Sequence, residues 1–224
     1  MRPALVLFAV HVARTSSPAR GLMDTVLTAA QRAPLLPIGT KGEQWAACRR
    51  WVPWLCAYTG ARVGELTQLR AGDVQARQGP AGSIWVLRLT PDAGTIKTGR
   101  ARTVPLHADL VHQGFPEFAQ RALAALGRDA PLFFKPPREP SRNPNYRGPA
   151  VKARERLAAR VREQGVDDPG ISPNHAWRHL FKTVARRAGI ETGIRDAIVC
   201  AGTRRGPLRR ATNTRRSRTW PRPS

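Results

Sequence analysis

Acidic residues are scarce in this sequence, with 15 Asp and Glu against 38 Lys and Arg and a formal net charge of +23. So lopsided a balance excludes a charge-neutral surface and points to a polyanionic partner, nucleic acid first. A GC-rich coding sequence, whose codons favour Arg, produces the same excess, and charge alone leaves both explanations open. Cysteine is nearly absent too. Cys48, Cys56 and Cys200 are odd in number and unclustered, which excludes a disulfide framework and offers no zinc-like spacing, so the cytoplasm is the expected compartment. No apolar run approaches the roughly 18 residues of a membrane span, so no membrane partner is expected. Carboxylates nowhere gather as a divalent metal requires, and neither metal nor other cofactor is expected. Tyrosine occurs only at positions 58 and 146.

What is present is enough for a folded core: 224 residues, 41% of them hydrophobic, with six Trp. Two full domains would be cramped, and 20 Pro with 19 Gly imply a loop-rich chain. The start, MRPALVLFAVHVA, weakly resembles a signal peptide, but residues 1–23 are read as an uncertain N-terminal segment, an untrustworthy start rather than an export leader.

Helical spacing of Trp51, Trp54, Leu55 and Tyr58 predicts a helix over 45–58, with Pro53 near its start or at a kink and a break at Thr59-Gly60. A short helix follows over 63–69, with Leu66 and Leu69 on one face and Glu65 near its N-terminal end. Runs at 83–90 and 102–107 read as two strands of a hairpin with a long basic tip, PDAGTIKTG. Residues 135–149 hold five Pro and read as a loop before a helix over 150–164. In the last clear helix Ser172 is the expected cap, Pro173 suits the first turn, and Gly189 closes it. Residues 199–224 carry eight Arg, no acid and no sustained amphipathic period.

Three strings then acquire meaning together. TGARVGEL (59–66) resembles the first signature of the tyrosine recombinases, the phage-integrase family. Arg62 matches the first catalytic arginine, and Glu65 the acid that buttresses it. Lys97 in GTIKTGRARTVPL resembles the family's hairpin lysine, which precedes a strand ending in Val-Pro-Leu. HAWR (175–178) resembles its His-x-x-Arg box, and a spacing of i, i+3 puts His175 and Arg178 on one helical face. Taken singly, each is ordinarily a solvated helix pair, a soluble hairpin tip or a structural histidine; it is their order and intervals that carry the resemblance. Trp177, Leu180 and Phe181 are expected to fill the core. The implied fold is α+β, mainly helical, with a small antiparallel β-sheet, spanning residues 24–198.

The implied chemistry explains the residue types. Transfer of a DNA phosphodiester builds negative charge on non-bridging oxygens, and Arg62 and Arg178 are suited to donate paired hydrogen bonds there without losing their charge. His175 is suited to donate to an oxygen or handle the nucleophile's proton, and Lys97 to protonate the leaving 5′-hydroxyl. In the family a tyrosine then forms a 3′-phosphotyrosyl link, so that rejoining needs neither metal nor ATP.

The sequence departs from the family after the His-x-x-Arg box. Neither a Gly-His pair nor a following tyrosine is found, and both Tyr58 and Tyr146 precede His175, so no nucleophile is assigned. Residues 199–224 are either a basic DNA-binding tail or the product of a shifted frame. In the shifted frame the codons spanning Gly202/Thr203 and Ala211/Thr212 permit His and Tyr nine apart, the family's spacing. The family's N-terminal helical domain is not evident. The expected function is site-specific DNA recombination or integration by ancestry, inactive as translated, with double-stranded DNA and further recombinase protomers on it as partners. A non-catalytic DNA-binding remnant is the alternative. An RNA-binding protein is a third class, under which the three boxes go unexplained.

Overall fold

A computed structural model of the chain describes residues 18–79, 82–94, 99–137, 139, 142, 148–166 and 168–199. Lys97 at the hairpin tip, Tyr146, Cys200, the rest of the Arg-rich segment and most of the N-terminal segment lie outside the described residues.

Helix α1 (Pro18–Arg32) buries Met23, Val26, Leu27 and Ala30, an i, i+3, i+4, i+7 stripe, against helix α2 (Glu43–Thr59). Helix α2 is the hub. Ala46, Cys48, Trp51, Val52, Leu55 and Cys56 are each at most 1% exposed, so it is enclosed on almost every side. Of the two places open to Pro53 from the sequence, the helix start is excluded: it lies in the helix interior, and the helix runs on to Thr59. A proline there costs roughly 3 kcal/mol, which the burial of large side chains on both sides of it offsets.

Beyond Gly60 the short helix α3 (Val63–Thr67) leads to a three-stranded antiparallel sheet of β1 (Val74–Gly79), β2 (Gly82–Leu89) and β3 (Arg102–Pro105), in that spatial order. The β2–β3 pair is the expected hairpin, with Leu87 opposite Val104 and Leu89 opposite Arg102. Strand β1 was not expected. Its sequence, VQARQG, is polar and buries only its first residue fully, so alternation gave no signal.

Helices α4 (Ala108–His112) and α5 (Phe115–Leu126) occupy a stretch to which the sequence reading assigned nothing. Phe115 meets Trp51 of α2 edge-on, with ring centroids 5.3 Å apart. Helix α6 (Pro149–Glu163) starts within a residue of expectation, and the described part of 135–148 has neither helix nor strand. Helix α7 (Pro173–Arg187) buries Trp177 and Phe181, with Leu180 half-buried.

Ser172 sits at the N-cap of α7 as expected, but its hydroxyl makes no capping bond. The other end is closed as expected: Gly189 has φ 72°, its N–H donates to Arg186 O at 3.1 Å, and Ile190 N donates to Ala185 O at 3.0 Å. Helix α8 (Thr192–Val199) then packs back on α7 through Val199, beside Phe181 and Val184. The architecture is α+β and mainly helical, with one small antiparallel sheet. Among the described residues no helix is long and apolar enough to cross a membrane.

Candidate functional site

The site forms where α2 ends. Gly60 terminates α2 with φ 59°, a left-handed conformation that glycine adopts without strain. It is also a crossing point. A Cβ at Gly60 would lie 2.6 Å from the Phe181 ring and 2.8 Å from Val199, so glycine alone lets α7 and α8 close on the turn. Thr59 stiffens the turn from within, donating through its hydroxyl to Leu55 O at 2.6 Å and accepting from Ala61 N at 3.1 Å.

Arg62 is the N-cap of α3, and Glu65, at the third helical position, reaches back to it. Arg62 N donates to Glu65 Oε2 at 3.2 Å, and Arg62 Nη1 donates to Glu65 Oε1 at 3.1 Å. The Arg62 side chain is 28% exposed and that of Glu65 only 2%, so the carboxylate is buried while the guanidinium it holds reaches solvent. A second guanidinium completes the arrangement: Arg102 Nη2 donates to Glu65 Oε2 at 2.5 Å. Burial alone would push the Glu65 carboxyl up, but the Arg102 bond and charge, then the Arg62 bonds, outweigh it and hold the group below the usual carboxylate range. Glu65 is thus an anion between two cations, and the cluster keeps a net positive charge.

Arg178 comes to the same turn from α7. Its Nη1 donates to Gly60 O at 3.2 Å, joining residues 118 apart in sequence. His175 lies one helical turn earlier on α7 and is exposed. Lys97 lies outside the described residues, but one flank of its loop packs on the C-cap of α3 and the other is ion-paired to α3. On one side Gly94 packs so closely on Gln68 that a Cβ there would fall 1.7 Å from Gln68 Oε1; on the other is the Arg102–Glu65 ion pair. From α6, Arg154 lies over Gly64, its Nη1 3.5 Å from where a Cβ would be.

Arg62, Glu65 and Arg178 are therefore gathered at one turn, and His175 shares the helix that brings Arg178 there. Sequence reasoning missed Arg102 and Arg154, and read Gly60 as a helix break but not as the crossing point of α7 and α8. A signal for Arg102 existed: in an alternating strand it shares a face with Val104, which is 3% exposed, so it is an arginine at an inward position.

Tyr58 is otherwise engaged. Its hydroxyl donates to Asp109 Oδ2 at 2.5 Å, and its ring stacks on His107 at 4.1 Å. Burial, then the Asp109 bond, push the phenol pKa well above its ordinary value, and burial pushes His107 down. A phenol held protonated in this way is a poor nucleophile. Among the described residues no group of three or more His, Cys, Asp or Glu side chains is placed to hold a metal ion.

No protein-family model matches the chain, and no curated protein matches it. Among solved structures, a chain of "FLP Recombinase-Holliday Junction Complex I" aligns at 12% identity with a TM-score of 0.49. The alignment covers 97% of this chain and 52% of that one, so the chain spans about half the length of the structure it matches.

Proposed function

We propose that residues 24–198 are the phosphate-binding part of a tyrosine-recombinase catalytic domain, whose ancestral activity is site-specific exchange of duplex DNA strands. In this reading Arg62 and Arg178 clamp the non-bridging oxygens of one DNA phosphate, and Glu65 fixes the angle of Arg62. His175 hydrogen-bonds that phosphate or takes a proton, and Lys97 protonates the departing 5′-hydroxyl. Further protomers bound to the same DNA would complete the assembly, and the cytoplasm is its compartment. One observation carries the proposal: Arg178, from one signature string, bonds the carbonyl of Gly60, two residues before Arg62 of another string, whose guanidinium is held by the buried carboxylate of Glu65.

Our second reading is that this chain binds DNA without forming a phosphotyrosyl link, which the commitment of Tyr58 to Asp109 supports.

The test combines binding and trapping. Duplex DNA should be bound, Arg62→Ala and Arg178→Ala should each weaken binding about tenfold or more, as expected for a lost charge-assisted contact, and a nicked suicide substrate should yield no covalent adduct. Unchanged affinity in both variants would remove the clamp. Adducts that persist after Tyr58→Phe and Tyr146→Phe would place the nucleophile elsewhere.

A further inference from the structure

Arg102 stands at the junction of three elements that the phosphate-clamp reading treats separately. It begins β3, where pairing with Leu89 sets its register and the strand's alternation turns its side chain inward with Val104. The side chain is only 8% exposed. A guanidinium cannot shed its charge, so one buried this deeply must be compensated by well-placed acceptors.

Two acceptors are present. Nη2 donates to Glu65 Oε2 at 2.5 Å, the same oxygen that accepts Arg62 N, while Glu65 Oε1 accepts Arg62 Nη1. Nε donates to the backbone carbonyl of Ile198, in α8, at 3.2 Å. Nη1 is buried and has no hydrogen-bond partner among the described residues. Among the described residues the compensation comes from Glu65 and from α8, and loss of either leaves a buried cation short of an acceptor.

This arrangement has a directional consequence. Without Arg102 the Glu65 carboxylate would have, among the described residues, Arg62 alone to satisfy it, and its plane would be held from one side only. With Arg102 in place one oxygen is pinned, and the other is left to orient Arg62.

We propose that Arg102 is a positioning residue: it locks the Glu65 carboxylate in the orientation that aims Arg62, and by also holding the Ile198 carbonyl it makes that orientation depend on the docking of α8. The proposal rests on the phosphate-clamp reading of Arg62. It assigns Arg102 no contact with DNA.

Two measurements on the full chain test it. Hydrogen exchange in the free protein should rise about tenfold, the cost of one charge-assisted hydrogen bond, in both 60–66 and 192–199 on Arg102→Gln. The second measurement is the loss of duplex-DNA affinity on Arg62→Ala, taken with and without Arg102→Gln. If Arg102 aims Arg62, Arg62→Ala costs much less once Arg102→Gln is present; a purely structural arginine would leave the two losses multiplying. Multiplying losses overturn the proposal, as does unchanged exchange in 60–66. Should Arg62→Ala not affect binding in the otherwise native chain, the clamp reading falls and the exchange arm alone decides: raised exchange in both segments upholds the clasp, and unchanged exchange overturns it. If Arg102→Gln does not fold, Arg102→Lys, which keeps the charge but cannot span both acceptors, carries the same two arms.

Discussion

Glu65 shows how one buried side chain organises charge that would otherwise disperse. Its carboxylate is 2% exposed and accepts from Arg62 and Arg102 together. Removing one partner of a buried ion pair typically costs about 3–5 kcal/mol, because the other charge is left uncompensated. Glu65→Gln should therefore lower stability at neutral pH by roughly that amount in urea unfolding. The pH dependence follows from the lowered carboxyl pKa. A depressed folded value means that the ion pairs stabilise fully above the unfolded carboxyl's pKa, near 4.3, and lose their effect as pH falls through the lower folded value. The native chain should lose stability over that acid range and Glu65→Gln should not lose that part, so the two unfolding curves converge as acid is added. A difference that stays constant down to the acid limit would mean that Glu65 is not the charged partner.

At the scale of elements, two glycines at helix ends separate backbone strain from packing. Gly189 has φ 72° with nothing within 4 Å of its Cβ position, whereas Gly60 has φ 59° and two side chains under 3 Å. Gly189→Ala should cost only the left-handed backbone, about 1 kcal/mol. Gly60→Ala adds overpacking against Phe181 and Val199, worth a further 1–3 kcal/mol or so. Denaturant midpoints of the two variants provide the comparison, and equal losses would show that α7 and α8 do not close on the turn. The Gly60→Ala variant should also weaken DNA binding, because Arg178 is bonded to that residue's carbonyl. Gly189→Ala should leave binding unchanged.

At the scale of the whole molecule the governing quantity is charge. Of the net +23, +15 arises before residue 199 and +8 from the Arg-rich segment after it. If binding is mainly to phosphates, affinity should fall on the order of a thousandfold between 50 and 200 mM salt, with little dependence on base sequence. Titration of labelled duplexes across that range checks this, and salt-independent affinity or preference for single-stranded RNA would contradict the DNA reading. The local signals were legible in the sequence because they depend on neighbours along the chain. These include the break at Thr59-Gly60, the Arg62–Glu65 pair three apart, the β2–β3 hairpin, and the closure of α7 at Gly189. Strand β1 was hidden because a polar edge strand buries too little to alternate, and the choice between helix start and interior for Pro53 was settled only by the tertiary burial that makes an interior proline tolerable. The approach of Arg178 to Gly60 and the hold of Arg102 on both Glu65 and Ile198 were likewise decided by the fold. Spacing along a sequence sets which residues share a helix face or a strand face; which faces then meet depends on packing between elements far apart in the chain, and it is that packing that fixes where the buried cations find their acceptors.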